Sequence, residues 1–166
     1  MKKSLAVLLL VVISVCACVP AFADPQFSTT RDFLAVLEKE NLSCHFNGLI
    51  STGEEHIAMA NADENFAYDI DVYFHEDNDF VSVFVRYIIG FSDADFPNVL
   101  RVVNELNYSY KYVRFYVDES NNTVTCAMNI ILQDAGDTGN IVLEGLLRMA
   151  NILKVAYPKL AVYNVK

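Results

Sequence analysis

The chain is 166 residues long, 54% hydrophobic and 20% charged, which is enough for one domain with its own core and too apolar for wholesale disorder. Twelve Lys and Arg against twenty-one Asp and Glu give a formal charge of −9. That sign repels phosphate backbones and anionic headgroups, so nucleic acid is not an expected partner.

The N-terminus reads Lys2 and Lys3, an apolar run from Leu5 to Val19, Pro20, then the small residues Ala21 and Ala23 before Asp24. This is the layout of a secretory signal peptide, because a run of about fifteen residues falls short of the roughly twenty that span a bilayer. Cleavage is expected between Ala23 and Asp24. It leaves residues 24–166 as a single domain, periplasmic or secreted, with no membrane attachment. The alternative is a lipoprotein anchored through Cys18, with Val15-Cys16-Ala17-Cys18 as an irregular attachment box. Removing residues 1–23 takes two lysines and no acid, so ten basic residues face twenty-one acids and the charge becomes −11. Cys44 and Cys126 are the two cysteines that stay. Two readings stand for them, a disulfide in an oxidising compartment or a pair of buried thiols.

Thr29 or Thr30 is a candidate N-cap for an amphipathic helix with apolar residues at 33, 34, 36 and 37, ending near Asn41, and Asp32 is placed to complete a capping-box-like pair with Thr29. From Ser43 to Ala62 the pattern is weak. Asn47-Gly48 and Thr52-Gly53-Glu54 read as turns, with a short strand from His56 to Ala60. Phe66, Tyr68, Ile70, Val72 and Phe74 alternate with Ala67, Asp69, Asp71 and Tyr73, a strand of period two. Glu76 to Asp79 form the turn into a second strand, Phe80 to Ile89, apolar on both faces and therefore central. Gly90 ends it. A helix with Pro97 in its first turn runs to about Asn107 on Val99, Leu100, Val103 and Leu106. Lys111–Asp118 and Thr123–Leu132 form a hairpin around Glu119 to Asn122. A long apolar helix from Ile141 ends near Pro158. The order is helix, three strands, helix, two strands, helix: an α+β domain with an antiparallel sheet of about five strands.

The phrase Asn104-Glu105-Leu106-Asn107 leading into Phe115-Tyr116-Val117-Asp118, followed by an acidic turn and an alternating strand, resembles the YbjN-like family over about Phe33 to Leu160. The resemblance implies a fold like that of type III secretion chaperones, a curved antiparallel sheet with helices, commonly paired as dimers. Members are described as regulators of sensory transduction and carry no attached active site.

Chemistry-bearing residues do not gather into known motifs. His45, His56 and His75 show no ligand spacing for a transition metal. The turn Glu76-Asp77-Asn78-Asp79 lacks the spacing and glycine of a calcium loop. Neither G-x-S-x-G nor a Cys with a partnered His is present, and Cys126 shares a strand face with Val124, Met128 and Ile130. Three N-x-[ST] sequons receive no role, and no cofactor is implied. If Val81-Val83-Val85, Val113-Phe115-Val117 and Val124-Cys126-Met128 face the core, the other sheet face carries Tyr73, Phe80, Phe84, Arg86, Tyr112, Arg114 and Tyr116. Interleaved aromatics and arginines are the composition of interfaces. Three readings of that face stand: cover by a helix, a homodimer contact, or a groove for an extended protein or peptide client. The function expected is therefore a non-enzymatic, chaperone-like or adaptor-like binding module, with a small extracytoplasmic enzyme or an acidic ligand or calcium carrier as the alternatives.

Overall fold

The computed structural model describes residues 24–62, 66–132 and 136–165. The expected signal peptide, with Cys16 and Cys18, lies outside the described residues. In chain order the elements are α1 (Ser28–Lys39), β1 (His45–Leu49), β2 (Glu55–Ala62), β3 (Ala67–Phe74), β4 (Phe80–Gly90), α2 (Phe96–Ser109), β5 (Arg114–Asp118), β6 (Thr123–Ile131) and α3 (Thr138–Ala161). The six strands form one sheet in the order β1-β2-β3-β4-β6-β5, antiparallel throughout. This is the expected α+β class with one strand more than the sequence pattern showed.

The added strand is β1. Asn47-Gly48 is not a turn: Gly48 sits at φ +76° where the β1–β2 register shifts between Phe46 and Gly48, so the glycine serves a bulge inside a strand. The chain reverses one step later. There the Ile50 N–H bonds the Glu54 carbonyl at 2.9 Å and the Gly53 N–H bonds the Ile50 carbonyl at 3.0 Å.

Register carries the apolar residues of neighbouring strands onto one face. Ile57, Val72, Val83 and Met128 lie across from one another on β2, β3, β4 and β6, beside Phe74, Val81 and Ile130. Nearly all are fully buried. Helices α1 and α3 cover this face: Phe33 of α1 meets Phe74 at a ring separation of 5.6 Å, and α3 packs on β4 and β6. Helix α2 runs along the free edge of β5. Its Asn107 side chain takes the place of a neighbouring strand, accepting from the Phe115 N–H at 2.7 Å and donating to the Phe115 carbonyl at 2.8 Å. An edge that would otherwise invite foreign strands is thereby closed at Phe115.

Several local expectations are corrected. The N-cap of α1 is Phe27, and Thr29 and Thr30 are buried within the helix. Thr29 donates to Asn78 at 2.7 Å, while Asp32 accepts from Thr138 at the start of α3 at 2.8 Å. The helix N-terminus is instead met by Glu55, a buried carboxylate that accepts the N–H groups of Gln26 at 2.6 Å and Phe27 at 3.2 Å, which suits the positive end of a helix. Pro158 lies inside the last turn of α3 rather than ending it. In β4 the two-residue alternation breaks at Tyr87, whose φ is +58°. The bulge there turns Tyr87 outward and buries both Ile88 and Ile89.

The α1–α3 contact depends on Gly139, where an added Cβ would stand 2.5 Å from the Asp32 carbonyl oxygen. At Gly145 the nearest atom is the movable Ile130 Cδ1, also at 2.5 Å. Gly139→Ala is expected to lower stability by about 2–3 kcal/mol in urea titration, and Gly145→Ala by clearly less, since a side chain yields more readily than backbone.

Candidate functional site

The opposite face of the sheet carries no helix among the described residues. Its side chains follow from the same registers, one residue out of phase. Ala58, Asp71, Phe84, Ala127 and Arg114 form one row across β2, β3, β4, β6 and β5, and His56, Tyr73, Ser82 and Asn129 form the next.

Arg86 is the hub. Its Nη1 donates to Asp71 Oδ2 and to the Tyr73 hydroxyl at 3.3 Å, and its guanidinium lies 4.6 Å from the Phe84 ring centre and 5.6 Å from that of Tyr73. Partial burial opposes the Arg86 charge, but the Tyr73 hydroxyl and Asp71 outweigh it and hold its pKa above the usual arginine range. The other oxygen of Asp71 binds His56 Nε2 at 2.9 Å, and His56 Nδ1 meets the Asn47 amide at 3.0 Å. One arrangement satisfies both contacts: the Asn47 NH2 donates to Nδ1 and the Nε2–H donates to the carboxylate. The His56 ring stacks on Tyr73 at 4.6 Å, and Tyr73 meets Phe84 edge to face at 5.8 Å. The outcome is a rigid aromatic floor threaded by the chain Asn47, His56, Asp71, Arg86.

A second cluster sits nearer the β3–β4 turn. His75 Nε2 lies 3.0 Å from Ser82 Oγ, and His75 Nδ1 lies 3.5 Å from Glu54. The residue types and order are those of an acyl-transfer triad. The surroundings are not. Ser82 lies mid-strand between β3 and β6, where ladder pairing uses the backbone N–H groups that an oxyanion hole would need, and Phe80 stacks on the His75 ring at 4.1 Å. The cluster is a polar cross-strand contact.

The structure brings together Tyr73, Phe80, Phe84 and Arg86 of the sequence-derived set. Arg114 and Tyr116 share their face at the β5 end, where both are exposed. Tyr112 does not join them: β5 begins only at Arg114, and the Tyr112 ring lies 4.5 Å from Arg148 of α3, on the helix side. Sequence reasoning missed Asp71 as the partner of Arg86, and His56 and Asn47 in line behind it. The four-residue turn Glu76–Asp79 was the available signal, because it fixes Asp71 opposite Phe84. Among the described residues, no three His, Cys, Asp or Glu converge as metal ligands, and no helix is long and apolar enough to cross a membrane.

Cys44 and Cys126 are free thiols, Cys126 buried and Cys44 exposed, so the disulfide reading falls and the buried-thiol reading holds for Cys126 alone. Four strand spacings separate β1, which follows Cys44, from β6, roughly 19 Å, against the ~7 Å limit between bonded Cα atoms. Burial raises the Cys44 pKa and pushes that of Cys126 up to about 12.

The YbjN family model, described as "Putative bacterial sensory transduction regulator", matches residues 68–148. No curated protein matches the sequence. Among solved structures, a chain of the HopA1-SchA chaperone-effector complex is similar at 9% identity with a TM-score of 0.49, the match covering 80% of this chain and 94% of that one.

With a thiol reagent at pH 8, Cys44 is expected to label in the native protein and Cys126 only after unfolding. Mass spectrometry of the labelled peptides distinguishes this from a disulfide, which would leave both unlabelled until reduction.

Proposed function

We propose, for a chain that carries a YbjN-family domain over residues 68–148, that it is exported and acts without catalysis as a binding module, chaperone-like or adaptor-like, whose client lies across the uncovered sheet face. The observation that carries this reading is the prebuilt aromatic floor. Tyr73, Phe84 and the Arg86 stem form an apolar platform whose polar groups already hold one another through Asp71 and His56. Covering it costs little desolvation of unpaired polar groups and little side-chain ordering.

Arg114 and Tyr116 extend the platform toward β5. Arg86 is already engaged by Asp71, so Arg114 is the cation offered to an acidic group of the client. An extended peptide with apolar or aromatic anchors flanked by acidic residues matches these features. Export follows from the sequence layout of residues 1–23.

Two measurements test the reading. A randomised extended-peptide library panned on the protein should enrich apolar anchors beside Asp or Glu. Binding of a selected peptide should weaken at least about tenfold in Phe84→Ala and about three- to tenfold in Arg114→Glu. Equal binding by both variants, with folds intact by circular dichroism, contradicts the site. For export, the mature protein in the source cells should begin at Asp24 by mass spectrometry, and an intact Met1 N-terminus contradicts it.

A further inference from the structure

We infer that the groove between the end of β6 and α3 binds a free α-amino acid with an apolar side chain, Arg148 taking its carboxylate and Glu144 its ammonium. The inference goes beyond the proposed function, and none of the groove's residues belongs to that site.

The groove lies where β5 stops short. Phe115 bonds Asn107 with its backbone groups, so Arg114 and Tyr116 are the residues that bond β6, opposite Ala127 and Thr125. By the same alternation the backbone N–H and C=O of Asn129 and Ile131 point to the β5 side, where no strand stands because β5 begins at Arg114. The Leu132 N–H, bonded at 2.9 Å to the Asp79 carbonyl on the β4 side, confirms that phase. Two residues of open edge are shorter than an ordinary strand, but their four backbone groups suit one small polar ligand.

The groove has a volume of about 320 Å³, at the small end of ligand sites. Met128 and Ile130, both buried, give it an apolar floor. Gly145 brings α3 against that floor, since a Cβ there would stand 2.5 Å from Ile130 Cδ1.

On α3, Glu144 and Arg148 line the same groove one turn apart. An acid four residues before a base is the favoured order for an ion pair along a helix, yet neither residue forms one among the described residues. The Arg148 guanidinium lies instead 4.5 Å from the Tyr112 ring centre. One anion and one cation therefore stand open beside the free edge of β6.

That pair of charges selects the ligand. A simple carboxylate is repelled by Glu144 and by an exported domain of charge −11, ten basic residues against twenty-one acids, and a simple amine is repelled by Arg148. A zwitterion satisfies both side chains and carries no net charge. An α-amino acid also supplies N–H donors and carboxylate acceptors for the open C=O and N–H groups of Asn129 and Ile131, and an apolar side chain covers Met128 and Ile130.

The test is titration of L-phenylalanine, to about 10 mM, into the protein from Asp24 onward, which holds every helix and strand of the fold. The amide NMR shifts of Asn129, Ile131 and Gly145 should saturate with a Kd of about 1 mM or tighter. N-acetyl-L-phenylalanine and L-phenylalaninamide, each lacking one charge, should bind about three- to tenfold more weakly. Glu144→Gln and Arg148→Gln, surface changes whose folds are checked by circular dichroism, should weaken L-phenylalanine by the same factor. Glu144→Gln should also abolish the loss on acetylation and Arg148→Gln the loss on amidation, because the contact concerned is already gone. Absence of saturable shifts at these amides overturns the inference. So does binding indifferent to either charge, or variant losses that do not match the group removed. Tighter binding of N-acetyl-L-phenylalaninamide than of L-phenylalanine also overturns it, and would assign the open edge to peptide backbone instead.

Discussion

The alternation of side chains across hydrogen-bonded strands is the constraint on which the rest of the structure depends. Ile57, Val72, Val83 and Met128 stand side by side only because every register from β2 to β6 is in phase. A one-residue slip in any of them would turn a strand's apolar set to water. That continuous apolar face is what α1 and α3 cover, and covering one face leaves the other open. The aromatic floor around Arg86 is thus a consequence of the same phase that builds the core.

Two features keep such an open sheet from becoming a template for foreign strands. At one edge the Asn107 amide satisfies Phe115 as a neighbouring strand would, and at the other the Gly48 bulge interrupts β1. On the open face, half-buried polar groups are paired before any partner arrives. Asp71 holds Arg86 with one oxygen and His56 with the other, so the cluster is rigid, with its aromatic rings held in fixed stacked and edge-on arrangements. Tyr87, forced to positive φ beside Arg86, marks where the β4 strand leaves its regular ladder to bury both Ile88 and Ile89.

Much of the fold was legible because its strongest signals are local. The period of two in β3, β5 and β6 and the helical spacing in α2 and α3 named the elements and the core face. What escaped were features decided by distant residues. Asn47-Gly48 carries the same chemistry in a bulge as in a turn, and only pairing with β2 distinguishes them. Thr29 looked like a cap, but Glu55, far along the chain, met the helix N-terminus and left the threonines to pack inside. The site was half legible: alternation placed Tyr73, Phe84 and Arg86 together, while Tyr112 was assigned by parity to a strand that had not yet begun. His56 and Asn47 belong to the weakly patterned segment, so their reach to Asp71 depended on a β1–β2–β3 register that the sequence does not display.

The central claim is that one face of β4 is core and the other is surface, residue by residue. Urea unfolding of Val83→Glu beside Phe84→Glu/Tyr116→Glu tests it most directly. The account predicts that Val83→Glu does not fold, because it buries an unpaired charge, while the double variant unfolds cooperatively within about 2 kcal/mol of wild type. Collapse of the double variant, or tolerance of Val83→Glu, would contradict it.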